Sequence, residues 1–224
     1  MPAASPSSPA PAVSETPSAE PTATGELSID EFIERFSNAY QQVKTYALEL
    51  KMDSAEAGLI SATGVVDQSG GSVAQQMKMT AMGMDMEMIQ LDGDTYVLIA
   101  SLSEDWVKMT AEQAGQQGID MPTGPDEMIK QARDSFKAVE LIGTEEVGGV
   151  STNHYRLTLV PDAVDEEGAA LSGYDVWLDE IGFTRKVVVE VKGEGEGFTT
   201  ELLTSKVNEP VSIKPPEKWV EMPS

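Results

Sequence analysis

Six of the chain's twelve methionines fall between Met77 and Met88, and their spacing leaves few folds open to the surrounding segment. Met84, Met86 and Met88 alternate with Asp85 and Glu87. Successive side chains of a strand point to opposite faces, so the three thioethers share one side. Met77 and Met79 alternate in the same way with Gln76, Lys78 and Thr80, so Ala81-Met82-Gly83 reads as a tight turn inside a methionine-faced hairpin. A second hairpin follows across Asp92-Gly93-Asp94, and Thr95 to Ala100 returns with Tyr96 and Leu98 expected on the methionine face. Methionine is unbranched and polarizable, which suits either an irregular core or a pocket that adapts to ligands of varied shape.

The segments on either side supply the rest of a sheet and something for it to pack against. Ser28-Ile-Asp-Glu31 is a capping box, and behind it Ile29, Phe32, Ile33, Phe36, Ala39, Tyr40 and Val43 mark one face of a helix. Strands then follow at Tyr46 to Met52, Leu59 to Asp67 and Val73 to Thr80, with a short one at Trp106-Val-Lys108 beyond the methionine hairpin. Gly115 to Gly124 reads as loop, and a second helix is expected from Pro125 to about Lys137, with Met128, Ile129, Ala132 and Phe136 on one face. Val139 to Val147 and Val150 to Val160 form a hairpin across Gly148-Gly149. After an acidic crossover at 161–173, Tyr174 to Asp179 pairs with Phe183 to Lys192, and Phe198 to Val207 is the last long strand. The fold class is therefore α+β: about ten or eleven antiparallel strands, connected largely as a meander, with two helices. A sheet of that size must curl or split, and two helices cannot cover both faces, so the economical form is a strongly curved half-open barrel wrapped around them.

Charge excludes some partners. The net charge is −23 and only Glu15 and Glu20 lie in the first 25 residues, so the folded part carries almost all of it. Nucleic acid is excluded as a partner, because neutralising phosphates needs basic patches. The tract 2–24 is rich in Pro, Ala, Ser and Thr and reads as an extended tether over residues 1–25, leaving 26–224 as one domain. It lacks the basic and apolar regions of a signal peptide, and it looks like the tether of an exported protein with a lipid-modified cysteine expected upstream. No apolar run approaches the roughly 20 residues of a membrane span.

Gly148-Gly-Val-Ser-Thr-Asn-His-Tyr155, then Tyr174-Asp-Val-Trp-Leu-Asp-Glu-Ile-Gly-Phe-Thr-Arg-Lys-Val-Val-Val-Glu190, then Glu209-Pro-Val-Ser-Ile-Lys-Pro-Pro216 resemble, in order and spacing, the LppX/LprG-type bacterial lipoproteins. Leu91-Asp-Gly-Asp-Thr-Tyr-Val97 and Trp106-Val-Lys108 fit the same pattern, so the resemblance covers roughly residues 28 to 220. It implies a LolA-like half-open barrel outside the cytoplasm, anchored to a membrane, that holds an acylated lipid or glycolipid between sheet and helices. The resemblance carries neither a catalytic motif nor a cofactor. Strand and helix alternation then name the expected cavity lining: Met77, Met79, Met84, Met86, Met88, Tyr96 and Leu98 from one wall, Tyr155, Leu157 and Val187 from the other, and Phe32 and Phe36 from the helix.

Rival readings use the same residues. Thioethers at M-x-M spacing can ligate Cu(I), but neither cysteine nor a second histidine accompanies them, and Asp85 and Glu87 suit harder ions. For catalysis the sequence offers neither a G-x-S-x-G elbow nor a phosphate loop, and His154 reads as a surface residue beside Arg156. A scaffold or sensor with the same fold and a closed core, meeting an envelope protein, is the alternative function; Trp177, expected on the convex face with Asp175 and Asp179, is the residue that would serve it.

Overall fold

A computed structural model describes residues 27–54, 58–70, 72–116, 133, 135–160, 170–192 and 197–222. The expected tether, most of the second helix (125–132) and the first nine residues of the acidic crossover (161–169) lie outside the described residues; the crossover's last four residues, 170–173, are strand instead.

Helix α1 spans Ile29–Gln42, and its start is set by the capping box. The Ser28 hydroxyl accepts from the Glu31 amide at 3.2 Å while the Glu31 carboxylate accepts from the Ser28 amide at 2.9 Å, so two of the helix's orphan donors are satisfied. The Ser28 hydroxyl, which also donates to the Glu31 carboxylate at 2.7 Å, and the Ser28 amide hold that carboxyl below its ordinary range. The helix ends where Val43 turns extended.

The strands are β1 (Thr45–Ser54), β2 (Gly58–Asp67), β3 (Ala74–Ala81), β4 (Met84–Leu91), β5 (Asp94–Ile99), β6 (Trp106–Thr110), β7 (Phe136–Val147), β8 (Val150–Leu159), β9 (Ala170–Leu178), β10 (Thr184–Lys192), β11 (Phe198–Ser205) and β12 (Trp219–Glu221). They form one sheet in the order β12-β6-β5-β4-β3-β2-β1-β11-β10-β9-β8-β7. Two antiparallel meanders, β1 to β6 and β7 to β11, are joined where β1 pairs with β11. The sheet is strongly curved and open, with α1 on its concave side.

Three differences from the sequence reading have local causes. Phe136 and Lys137, expected as the end of the second helix, open β7 instead, and Phe136 is buried against the side chain of Tyr174. A short helix α2 (Ala111–Gln116) begins where no element was assigned and takes in the first two residues of the expected loop, whose remainder lies outside the described residues; it is capped by Thr110 and Gln113, the Thr110 amide donating to the Gln113 side chain at 2.9 Å and the Thr110 hydroxyl accepting from the Gln113 amide at 3.3 Å. β12, not anticipated, runs parallel to β6 and pairs Trp219 with Trp106.

Among the described residues, apolar packing on the concave side falls into three clusters. Phe32 and Ile33 of α1 meet Val139, Tyr155, Leu157, Val176 and Leu178. Ala39, Tyr40 and Val43 meet Phe183, with Tyr46 alongside. Met88, Val97, Met109 and Ala114 form the third, with Met77, Met86, Ile99 and Met222 packed on it.

Candidate functional site

Residues directly opposite each other in neighbouring strands point to the same side, so the register traces one face of the sheet from end to end. Starting in β5, the partners run Ile99, Met86, Met79, Ala62, Leu50, Leu202, Val187, Val176, Tyr155 and Leu141, crossing from β5 to β7 with the Tyr155 hydroxyl as the file's one polar side-chain group. At the usual strand spacing this file is about 40 Å long, measured along the curve. Met77 and Met88 pair in the next file, and Met84 lies on the same face at the end of β4. The expected lining residues Met77, Met79, Met84, Met86, Met88, Tyr155, Leu157 and Val187 therefore share the concave face, which Phe32 and Phe36 meet from α1.

Tyr96 and Leu98 do not belong with them. Tyr96 is opposite Ile89 and Leu98 opposite Glu87, on the convex face; Val97 and Ile99 take their places beside Met88 and Met86. The turn has two residues, Asp92 and Gly93, because Asp94 already pairs with Leu91. A turn one residue shorter than expected moves every side chain of the returning strand to the other face. Tyr96 is buried nonetheless, because Trp219 of β12 meets its ring edge-on at 5.6 Å.

The concave face is covered unevenly. At the α1 end, Tyr155, Leu157, Val176 and Leu178 are buried, and the Tyr155 hydroxyl accepts from Arg35 at 3.1 Å. Phe32 meets the Tyr155 ring at 5.5 Å, and Phe36 lies on Tyr40 at 4.5 Å. In the middle, Leu50, Met52, Ile60 and Leu202 are half-buried and belong to none of the three clusters. At the methionine end Met88 is buried, Met77, Met79 and Met86 are half-buried and Met84 is exposed. Gly64 makes room there: a Cβ on it would lie 2.7 Å from the Gln76 carbonyl and 2.9 Å from Met77 Cγ, so the glycine lets Met77 fold across β2. One margin of the face is polar, where the Gln75 amide donates to the Gln90 side chain at 2.6 Å and Gln68 donates to the Tyr40 and Val43 carbonyls. Burial raises the Tyr40 hydroxyl well above the ordinary tyrosine range and pushes Tyr46 up to about 12, so both stay neutral.

Sequence reasoning did not nominate Leu50, Ala62, Leu202, Val97, Ile99 or Met109. The alternation that put Leu48, Leu50 and Met52 on one face was legible; the pairing of β1 with β11, which brings Leu50 beside Leu202, joins residues 152 apart and left no local mark.

The convex face is chemically different. His154, expected at the surface, is buried: its ring stacks on Trp177 at 4.0 Å, Nδ1 is 3.1 Å from Glu145 and Nε2 is 2.7 Å from Asp175. The Trp177 indole donates to Glu145 at 3.2 Å, and Lys186 Nζ lies over the Trp177 ring, 5.0 Å from its centroid. Trp177 is on the convex face as expected, but it is covered and offers no anchor to a partner. Asp179 is buried in the β9–β10 turn, accepting from the Ile181 and Phe183 amides and from Arg185 at 2.8 Å, which accounts for it structurally. Among the described residues no group of three or more His, Asp and Glu is placed to hold a metal ion, and no helix is long and apolar enough to cross a membrane. Asp85 and Glu87 point away from the methionines, Asp85 accepting from Thr80 and Glu87 from Lys78.

A curved antiparallel sheet, half open, with an apolar concave face and a helix laid along part of it, defines a class of fold. Among solved structures the chain is similar to LprF from Mycobacterium bovis, at 13% identity and a TM-score of 0.58, covering 86% of this chain and 99% of that one. It is similar also to the lipoprotein LppX of Mycobacterium tuberculosis, at 15% identity and a TM-score of 0.57, covering 83% and 98%. The chain thus has the fold of LprF and LppX, the strongly curved, open antiparallel sheet expected from the sequence resemblance. No family model matches the sequence, and no curated protein does.

Proposed function

We propose that the protein is an extracytoplasmic lipid-binding lipoprotein that holds the acyl chains of a lipid or glycolipid against its concave face. The observation that carries this reading is the unbroken apolar file from Ile99 to Leu141, packed at its α1 end and only half-buried through its centre. A closed core of this size would bury Leu50 and Leu202 as fully as it buries Leu178. Likeness of fold to LprF and LppX supports the reading, as does the methionine end, whose unbranched side chains can repack around tails of different length. Each methylene taken from water contributes roughly 0.8 kcal/mol, so a chain of about ten in a formed groove offsets the cost of association. Extraction from a bilayer lacks that gain, because the tails begin in an equally apolar place, so the protein acts by exchange close to a donor and an acceptor.

Native mass spectrometry of the full chain, produced in an acyl-lipid-rich bacterial host, tests this. A discrete extra mass that fragments as a lipid is expected, and Leu202→Trp, which fills the centre of the file, should remove it with little change in melting temperature. Leu98→Trp, on the convex face, should keep it. A clean apo mass together with no uptake of a fluorescent fatty acid would end the proposal and favour a scaffold with a closed core.

A further inference from the structure

Among the described residues three two-residue hairpin turns have both central residues at positive φ, the geometry whose twist suits a β-hairpin. Two are filled as that geometry demands, by Asp92-Gly93 (φ 54° and 84°) and Gly148-Gly149 (φ 59° and 82°). The third is Met82-Gly83, with Met82 at φ 51°. A long side chain in the left-handed region is uncommon, since Asn, Asp or Gly occupies it at less cost, and the Met82 side chain is 70% exposed, so packing does not account for it.

Met82 has apolar neighbours on the same rim. Extending the β2–β3 register beyond Ser61 and Thr80 sets Leu59, 64% exposed, opposite Met82. The Ala100 amide donates to the Asp85 carbonyl at 3.1 Å, which sets the turn carrying Leu102, 76% exposed, at the same end of the sheet as the start of β4, where Met84 is 46% exposed. Four of the eight large exposed apolar side chains among the described residues thus line one end of β2 to β5, an arc of roughly 15 Å at the usual strand spacing. Along β4 this arc runs without interruption into the concave face, from Met84 through Met86 to the buried Met88.

We infer that this rim docks on the surface of an electrically neutral lipid bilayer, with Met82, Met84, Leu59 and Leu102 entering the headgroup–acyl boundary. The inference rests on the lipid-holding reading of the concave face, for which it supplies the side from which a tail enters. Separate turn tips arrayed on an arc fit a fluid apolar medium, which needs no matching shape; the strands behind them are already paired, so strand addition is not on offer. Charge selects the lipid. The rim turns carry Asp53, Asp85, Glu104 and Asp105, all exposed, and segments 58–60, 81–85 and 100–105 contain no Lys or Arg, so an anionic surface would be repelled.

The test is co-sedimentation of the full chain with phosphatidylcholine vesicles and with vesicles in which phosphatidylglycerol is mixed. Binding to the first and weaker binding to the second are expected. Met82→Asn suits the positive φ and should leave the melting temperature unchanged or higher, yet lower vesicle partitioning about tenfold; adding Leu102→Ser should lower it about tenfold again, and Met82→Leu should retain it. Absence of wild-type binding to phosphatidylcholine, or equal binding by Met82→Asn, would overturn the inference. So would loss of a protein partner from envelope extract on these substitutions without any vesicle binding. Native mass spectra of Met82→Asn separate the two proposals: the variant should still carry lipid if the concave face holds it, whereas a wild-type chain that docks on vesicles while always apo would leave the rim standing and the lipid-holding reading refuted.

Discussion

The two ends of the concave face are closed by different chemistry. Under α1 the side chains are rings and branched residues packed on one another: Phe183 lies tilted against Tyr40 at 4.9 Å and edge-on to Tyr46 at 5.4 Å, and Phe183 and Leu178 are fully buried. At the other end the same face is built of Met77, Met79, Met86, Met88 and Met109, backed by Ala114 of the six-residue helix α2. Rings of fixed shape specify one packing, while thioethers on three rotatable bonds accept several. One end therefore fixes a single packing, and the other has side chains that can repack.

The sharpest way to break this contrast is to truncate one residue at each end. Phe183→Ala should cost about 3–5 kcal/mol of unfolding free energy, since it empties the centre of a ring cluster. Met86→Ala, on a half-buried side chain, should cost about 1–2 kcal/mol and instead reduce bound lipid. Urea titration of both variants measures the difference. Equal costs would mean that the methionine end is as closed as the α1 end.

Alkali should find the α1 end first. Burial raises Tyr46 from an ordinary value of 10.0 to about 12, so between those values the unfolded chain ionises while the folded one does not. A raised pKa contributes stability that is complete below the unfolded value and lost as pH climbs through the folded one, which here amounts to about 2–3 kcal/mol between pH 10 and 12. Tyr46→Phe should flatten that loss in melting temperatures read against pH, and an unchanged slope would place the effect elsewhere.

How far the sequence foretold these ends follows from the range of the forces involved. Helix α1 was legible because its cap and its apolar stripe both lie within 16 residues, from Ser28 to Val43. Strand faces were legible wherever alternation was strict. The face of β5 was not, because hydrophobic residues occupy both of its sides and only the turn length, two residues rather than three, decides which side is which. β12 was illegible for a related reason: three exposed residues held by a parallel pairing with β6 carry no periodic signal. His154 was misjudged because its neighbours in sequence are polar, whereas its ring partner, Trp177, comes from the next strand. What the concave face shares as a continuous file was beyond local pattern altogether, since it depends on joining β1 to β11.

Gly64 tests the methionine end more finely. A Cβ there meets the Gln76 carbonyl at 2.7 Å, so Gly64→Ala must push β3 or Met77 aside, at about 1–3 kcal/mol. Because the displaced side chain lines the concave face, the bound-lipid mass in native spectra should change along with the melting temperature. A drop in melting temperature with an unaltered lipid profile would confine Met77 to the core.

The smallest effect expected lies at the start of α1, remote from the file, and it checks that the helix end of the contrast depends on ordinary helix energetics as well as on rings. Ser28→Ala removes the hydroxyl that the Glu31 amide donates to and should cost about 1 kcal/mol. Glu31 is fully exposed, and the Ser28 hydroxyl and amide hold its carboxyl below the ordinary value of 4.5. A depressed pKa contributes stability that is present above the unfolded value and lost as pH falls through the folded one, so the cap should weaken below about pH 4.5. Glu31→Gln keeps the reciprocal bond without the charge and should remove this acid dependence while leaving neutral-pH stability nearly unchanged. If Ser28→Ala also altered the lipid profile, α1 would be registering changes at the far end of the sheet, and the division between a fixed end and an adaptable one would have to be withdrawn.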